Sequence, residues 1–230
     1  MSTAFHFDAE RHLYLLGGRR LWSVTEVLAA MRWIDPTYYT WASRMRGKAV
    51  HIALQLHMQG GVDWESLRVT SEQIGEDIEP YVRAGVRWLD ESGFQPRAVE
   101  CAGYDKVYEY GWCFDLDGFY PDGQEALVDW KSCETPNLPA WELQLAAYGR
   151  SAPRITQGIR TAIPRRKVAV QLMKNGKYQP HIMTDINAEA VFLSLHTALQ
   201  HGLKTGVYKD ERPSADLPDA AVAAARHAAA

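Results

Sequence analysis

Hydrophobic positions in this chain follow two rhythms, period 2 in some stretches and about 3.6 in others, and their order predicts the order of elements. Phe5 to Trp22 alternates and turns at Gly17-Gly18, the pattern of a small β-hairpin. Ser23-Val24-Thr25-Glu26 reads as a helix start, with Ser23 as N-cap and Glu26 three residues on, as in a capping box. A second helix is predicted over Thr40–Met58, with Val50 and Leu54 on its apolar stripe and Gly60-Gly61 beyond its end. From Ser71 to Ser92, the spacing of Ile74, Ile78, Tyr81, Val82 and Val86 predicts one continuous helix. Three strands are expected, at Arg97–Cys101, Lys106–Tyr120 and Gln124–Ser132. A helix follows from Pro139, a residue suited to a first turn, to about Gly149. Lys167–Met173 and Tyr178–Met183 flank Asn175-Gly176, a strong hairpin signal, and a last helix is expected from Asn187 to His201.

This order predicts a single α/β (α+β) domain: a mixed central β-sheet flanked by helices. The domain is expected over 1–212, with the N-terminal hairpin and helices in 1–95 and the core in 96–204. The Ala-rich stretch 213–230 is expected to be a flexible tail.

Composition narrows the function classes. At 230 residues and 47% hydrophobic content, the chain can bury a substantial core. Its formal charge of -3 excludes a globally basic nucleic-acid binder, so any such affinity must come from a local patch. Cys101, Cys113 and Cys133 form neither a paired framework nor a C-x-x-C motif, which favours a reducing interior. No apolar run approaches membrane length, and the N-terminus lacks a charged-then-apolar pattern, so a cytoplasmic protein with no membrane partner is expected.

The candidate chemistry lies in Phe114-Asp115-Leu116-Asp117-Gly118 and Leu127-Val128-Asp129-Trp130-Lys131. On an extended strand, residues i and i+2 share a face. Asp129 should therefore point with Lys131, and Asp115 with Asp117, while Phe114 and Leu116 point the other way. The turn Pro121-Asp122-Gly123 lets the two runs pair and brings Asp115 near Asp129. Carboxylates about 4 Å apart repel by about 4 kcal/mol at an effective dielectric near 20. Lys131 neutralises one charge, and a hard divalent cation, magnesium above all, would offset the rest. Other site chemistries fail on spacing. Gly47-Lys48 precedes Ala49 rather than Ser or Thr, against a P-loop. The glycine of Asp115-x-Asp117-Gly118 comes too early for a calcium loop, where Ala126 would also have to be Glu.

Taken with Gly47-Lys48-Ala49-Val50-His51, Glu100 and Gln144-Leu145-Ala146-Ala147-Tyr148, these segments resemble the PD-(D/E)XK nuclease superfamily, in its RecB-like and phage-exonuclease branch. Asp115 matches the first acidic residue of that motif, and Asp129-Trp130-Lys131 the acid-x-Lys half. His51 matches the histidine of an upstream helix, Glu100 the acid on the preceding strand, and Gln144 with Tyr148 a downstream Q-x-x-x-Y helix. Phe114 stands where the motif's proline would be. His12-Leu13-Tyr14, Ser23-Val24-Thr25 and Val170-Gln171-Leu172 are also similar to small phage-encoded members, so the resemblance spans most of residues 5–204.

The resemblance implies a restriction-endonuclease-like core and metal-dependent hydrolysis of DNA by a phage or prophage exonuclease acting in recombination or replication. The alternatives are a structure-specific endonuclease or a catalytically inactive DNA-binding module of the same fold. It further implies a metal held by His51, Asp115, Asp129 and the backbone carbonyl of Trp130, with Lys131 and Glu100 completing the catalytic set. Mg2+ is the expected ion, with Mn2+ tolerated because imidazole is the softer donor. DNA, contacted with little sequence preference, is the expected partner, and a strand-annealing recombinase a further one. Arg44, Arg46 and Lys48 beside His51 are the expected DNA contacts, with Gln144, Tyr148, Arg165 and Arg166. Arg150, Arg154, Arg160 and Lys167 extend the second basic stretch, and Trp41 or Trp141 is placed to stack on a frayed base.

Overall fold

A computed structural model describes residues 4–35, 37, 40–152 and 165–212. The expected tail, and Arg154 and Arg160 of the second basic stretch, lie outside the described residues. The chain opens with β1 (Phe5–Asp8), β2 (Leu13–Leu16) and β3 (Arg19–Arg20), which form their own antiparallel sheet. The expected hairpin thus has two turns, not one. Then come β4 (Trp22–Ser23), α1 (Val24–Ala30), α2 (Trp41–Gln59), α3 (Trp64–Ile74) and α4 (Glu79–Ser92). The second half runs β5 (Gln95–Tyr104), β6 (Tyr110–Phe119), β7 (Glu125–Ser132), α5 (Leu138–Ser151), β8 (Arg166–Leu172), β9 (Tyr178–Met183) and α6 (Ala188–Thr205).

Local chemistry explains most boundaries. The Ser23 capping box forms in both directions, with Glu26 N–H donating to Ser23 Oγ and Ser23 N–H to Glu26 Oε2. Thr40 caps α2, and Gly60 ends it. The single helix expected from Ser71 to Ser92 is instead split into α3 and α4. Gly75 ends α3 in the left-handed region at φ +73°, and Pro80 sits in the first turn of α4, where its missing N–H does no harm. Apolar periodicity carries across this break because both helices pack on the same core.

The main sheet is mixed. β5, β6 and β7 form an antiparallel meander, β4 joins β6 in parallel, α5 crosses from β7 to parallel β8, and β9 returns antiparallel to β8. Helices α1, α5 and α6 cover one face around Trp112, Phe114, Leu127 and Phe192. Helices α2, α3 and α4 cover the other around Leu54, Tyr81, Trp88, Leu116 and Trp130. The fold class is as expected: an α/β arrangement with a mixed central sheet between two helical layers.

One edge of β6 is shared. β5 occupies its other edge throughout, so both β7, paired at Leu116–Phe119, and β4, paired at Tyr110–Gly111, must lie on the same side. Between those pairings β6 and β7 part, immediately past Leu116 and Val128. The next position in this register would set Asp115 opposite Asp129. The fork opens at the two residues that carry the candidate chemistry.

Candidate metal centre

Sheet geometry, more than any one motif, assembles the site. The turn at Pro121-Asp122-Gly123 forms as expected, with Gly123 N–H donating to Tyr120 O at 2.9 Å. Where β6 and β7 part, the Asp115 carboxylate replaces the missing backbone pairing: Trp130 N–H donates to Asp115 Oδ2 at 2.5 Å. Burial of Asp115, only 5% exposed, is thereby compensated by a partner that also fixes the carboxylate's direction.

The pleat slips at the same point. Val99 and Leu116 pack in one core, but Cys101 and Phe114 pack in the other. Strict alternation would put Val99 on the same face as Cys101, and Phe114 on the same face as Leu116, so the expectation that Phe114 and Leu116 point together is corrected. The neighbouring strand is irregular at the same level: Glu100, between the paired Val99 and Cys101, has φ +50°, a left-handed conformation rare for such a residue. The Glu100 carboxylate lies close to that of Asp115. Asp117, expected to share a face with Asp115, instead serves a different network.

His51 completes the cluster from α2. Its Nδ1 lies 3.2 Å from Asp115 Oδ1 and 3.8 Å from Glu100 Oε1, and its Nε2 lies 3.2 Å from Trp130 O. One ligand atom each from His51, Glu100 and Asp115 fall within 4.8 Å of one another. Both imidazole nitrogens thus face oxygen, which the doubly protonated ring satisfies best. Burial acts to lower the His51 pKa, but the Asp115 charge and hydrogen bonds to Asp115 and Glu100 outweigh it and hold it well above 6.5. The proton occupies a position between donors that a cation could take.

Asp129 and Lys131 share a face, as period 2 requires, and form an ion pair. Val128 and Trp130 are buried on the opposite face among α2 and α4 residues. Asp129 is 3% exposed, and burial pushes its carboxyl up to about 6 despite the Lys131 charge. Asp129 therefore stands beside the tight His51–Glu100–Asp115 cluster rather than within it, tied to Lys131. Glu100, in contrast, is a full member. Lys131 Nζ also donates to Gln144 Oε1 at 2.7 Å, and Gln144 Nε2 donates to Tyr148 Oη at 2.7 Å and to Thr25 Oγ1 at 3.4 Å. Thr25 was not singled out by the sequence; its place in Ser23-Val24-Thr25 at the start of α1 is the only signal.

Several expected DNA contacts are corrected. Gln144 and Tyr148 are buried and hold Lys131 in place; they face the protein interior. Arg46 binds both Glu76 oxygens at 2.7 and 2.8 Å and Ser132 O at 3.0 Å, with its guanidinium over the Tyr81 ring. Its work is to pin α2 against β7, which sets the position of His51. Arg165 is buried against Asp117 at 2.7 Å and Ala152 O at 3.1 Å. Arg166 is exposed over Tyr120, but its strand partner is Ala126, near the opposite end of β7 from Lys131. Arg150 pairs with Asp105 and Glu189, and Trp141 is buried. Arg44 and Lys48, together with Trp41, are exposed on α2 and keep the expected placement.

The Asp117 network is structural. Asp117 is fully buried between Arg165 and Arg97, and Arg97 also reaches Glu125 at 3.0 Å. Removing one member strands a desolvated charge. Asp117→Ala is expected to lose about 3–5 kcal/mol in urea unfolding. A loss below about 1 kcal/mol would show that these arginines find other partners.

No family model matches this sequence, and no curated protein does. Among solved structures, the crystal structure of SSO0001 is similar at 11% identity and a TM-score of 0.36, over 81% of this chain and 87% of that one. Among the described residues, no helix is long and apolar enough to cross a membrane.

The donor set suits a hard divalent cation. Two carboxylates and one imidazole give oxygen-rich ligation, with the Trp130 carbonyl adjacent to the ring. Thiol ligation is disfavoured, because burial raises the Cys113 thiol pKa and its Sγ is 3.8 Å from the Glu100 carboxylate.

Proposed function

We propose that this protein is a divalent-metal-dependent deoxyribonuclease of the PD-(D/E)XK type, acting on DNA ends, with Mg2+ as the working ion and Mn2+ as a substitute. The observation that carries this reading is the convergence of His51, Glu100 and Asp115 at the mouth of a strand fork whose other arm presents Asp129 and Lys131. A purely structural cluster would have little reason to hold a carboxylate at Asp129 against its burial, or a left-handed backbone at Glu100.

His51, Glu100 and Asp115 would hold the cation, with the Trp130 carbonyl beside them and Asp129 across the fork. When bound, such an ion polarises a phosphoryl oxygen and acidifies a water. The chain's own residues supply the rest. Lys131, held by Gln144 and Asp129, places one positive charge at the fork, where it would orient the attacking water or oppose charge growing on the phosphoryl oxygens. Asp129, with its raised pKa, can accept a proton from that water. Trp130 N–H keeps Asp115 aimed at the cluster in the absence of substrate. Phage or prophage recombination, with a strand-annealing recombinase as partner, fits such an activity and belongs to the same proposal.

The direct experiment uses end-labelled linear duplex, end-labelled linear single strand and covalently closed circular duplex, each with Mg2+, Mn2+ or chelator. Shortening of the linear DNA only, dependent on the metal, is expected. Cleavage of the circle would convert the reading to an endonuclease. Intact DNA of every form with both metals would overturn it.

A further inference from the structure

Four residues of α2 fall on one stripe: Trp41, Arg44, Lys48 and His51. At about 100° per residue they lie within an arc of about 80°, and at 1.5 Å per residue the stripe extends about 15 Å from indole to imidazole. Trp41 is 44% exposed, and Arg44 and Lys48 are exposed as well. The Arg44 guanidinium has no ion-pair partner among the described residues, and Lys48 Nζ donates only to a backbone carbonyl, Glu10 O, at 3.2 Å. No acidic residue occurs anywhere in α2, in a chain whose net charge is -3. The opposite side of the helix, with Val50, Ala53 and Leu54, is buried, and Arg46 is committed to Glu76.

We propose that this stripe is a track for single-stranded DNA, with a base stacked on Trp41 and the backbone led past Arg44 and Lys48 to the His51 cluster. The location of the reacting phosphate rests on the nuclease reading above; the track itself does not. The charge is complementary to phosphate and sequence-blind. The indole decides the form of the substrate. A duplex hides its base faces except at its ends and would leave Trp41 without a partner, whereas an unpaired strand offers a π-face at every nucleotide. The length fits roughly four stacked nucleotides at about 3.4 Å each. The Glu10 carbonyl, in the β1–β2 turn, holds the Lys48 ammonium in place on the stripe.

The test is binding of a fluorescent twelve-nucleotide oligothymidine by the full chain in chelator, against a blunt hairpin duplex of the same length. Tighter binding of the oligothymidine is expected. Trp41→Ala should weaken it roughly tenfold or more, while Trp41→Phe stays within about threefold of wild type. Arg44→Ala and Lys48→Ala should each reduce the slope of log affinity against log salt by about 0.7. Equal affinity for duplex and single strand, or an unchanged affinity in Trp41→Ala, would overturn the track. Mn2+-induced thermal shift is read on the same proteins. A persisting shift without oligonucleotide binding rejects the track and spares the metal site; binding without a shift does the reverse.

Discussion

Lys131→Met is expected to lower the rate of DNA cleavage by about a thousandfold while leaving metal uptake intact. Methionine keeps the length and apolar stem of the side chain, so packing along β7 changes little. What disappears is the charge that Gln144 and Asp129 hold at the fork. Removing one preorganised electrostatic donor from an active site reduces turnover by about 10²–10³. Loss of the general orientation of water adds to that figure. Asp115→Asn makes the contrast. It removes a member of the His51–Glu100–Asp115 cluster, so both cleavage and the Mn2+-induced rise in melting temperature should vanish. Gln144→Leu should act through Lys131 only, lowering turnover with the thermal shift preserved. If Lys131→Met cleaves at the wild-type rate, Lys131 is a structural partner of Asp129 and the mechanism is wrong.

Much of this site is legible in the sequence, because its geometry is largely that of a hairpin. Period 2 is enough to pair Asp129 with Lys131 and to bury Val128 and Trp130 on the other face. The Pro121-Asp122-Gly123 turn is enough to set β6 against β7. His51 and Glu100 enter only through resemblance, and the structure brings both to Asp115. What periodicity does not carry is departure from regularity. The left-handed Glu100 backbone and the parting of β6 from β7 break the rule that placed Asp115 with Asp117. Arginines are misread for a related reason: their sequence positions show charge but not partners. Arg46 and Arg165 are bound to acids far away in the chain, Glu76 and Asp117, and only the tertiary fold joins them. The break between α3 and α4 is hidden in the same way, since one apolar stripe serves two helices.

Asp129→Asn is expected to raise the stability of the metal-free protein at pH 8 while abolishing cleavage. Burial holds the Asp129 carboxyl at about 6 in the folded chain, against 3.8 for an ordinary one. The folded state thus binds this proton more tightly than the unfolded state does. The destabilising effect of the charge is absent below about pH 4, grows through about pH 6 and is complete above it. Its full size, at 1.36 kcal/mol per pKa unit, is about 3 kcal/mol. Asparagine is the neutral isostere of the protonated acid, so the variant should melt roughly 5 °C or more above wild type at pH 8, with the difference gone near pH 4. His51 has the opposite sign. Its raised pKa contributes stability that is fully present below 6.5 and is lost as pH rises through the folded value. His51→Gln should therefore lower the melting temperature most at acid pH, so the two variants shift the profile in opposite directions at opposite ends. Differential scanning calorimetry across pH 4 to 8 in chelator separates them. A wild type more stable than Asp129→Asn at pH 8 would mean that the Lys131 pair outweighs burial. The carboxylate would then be a structural asset, and the case for a charge retained only for chemistry would lose its strongest support.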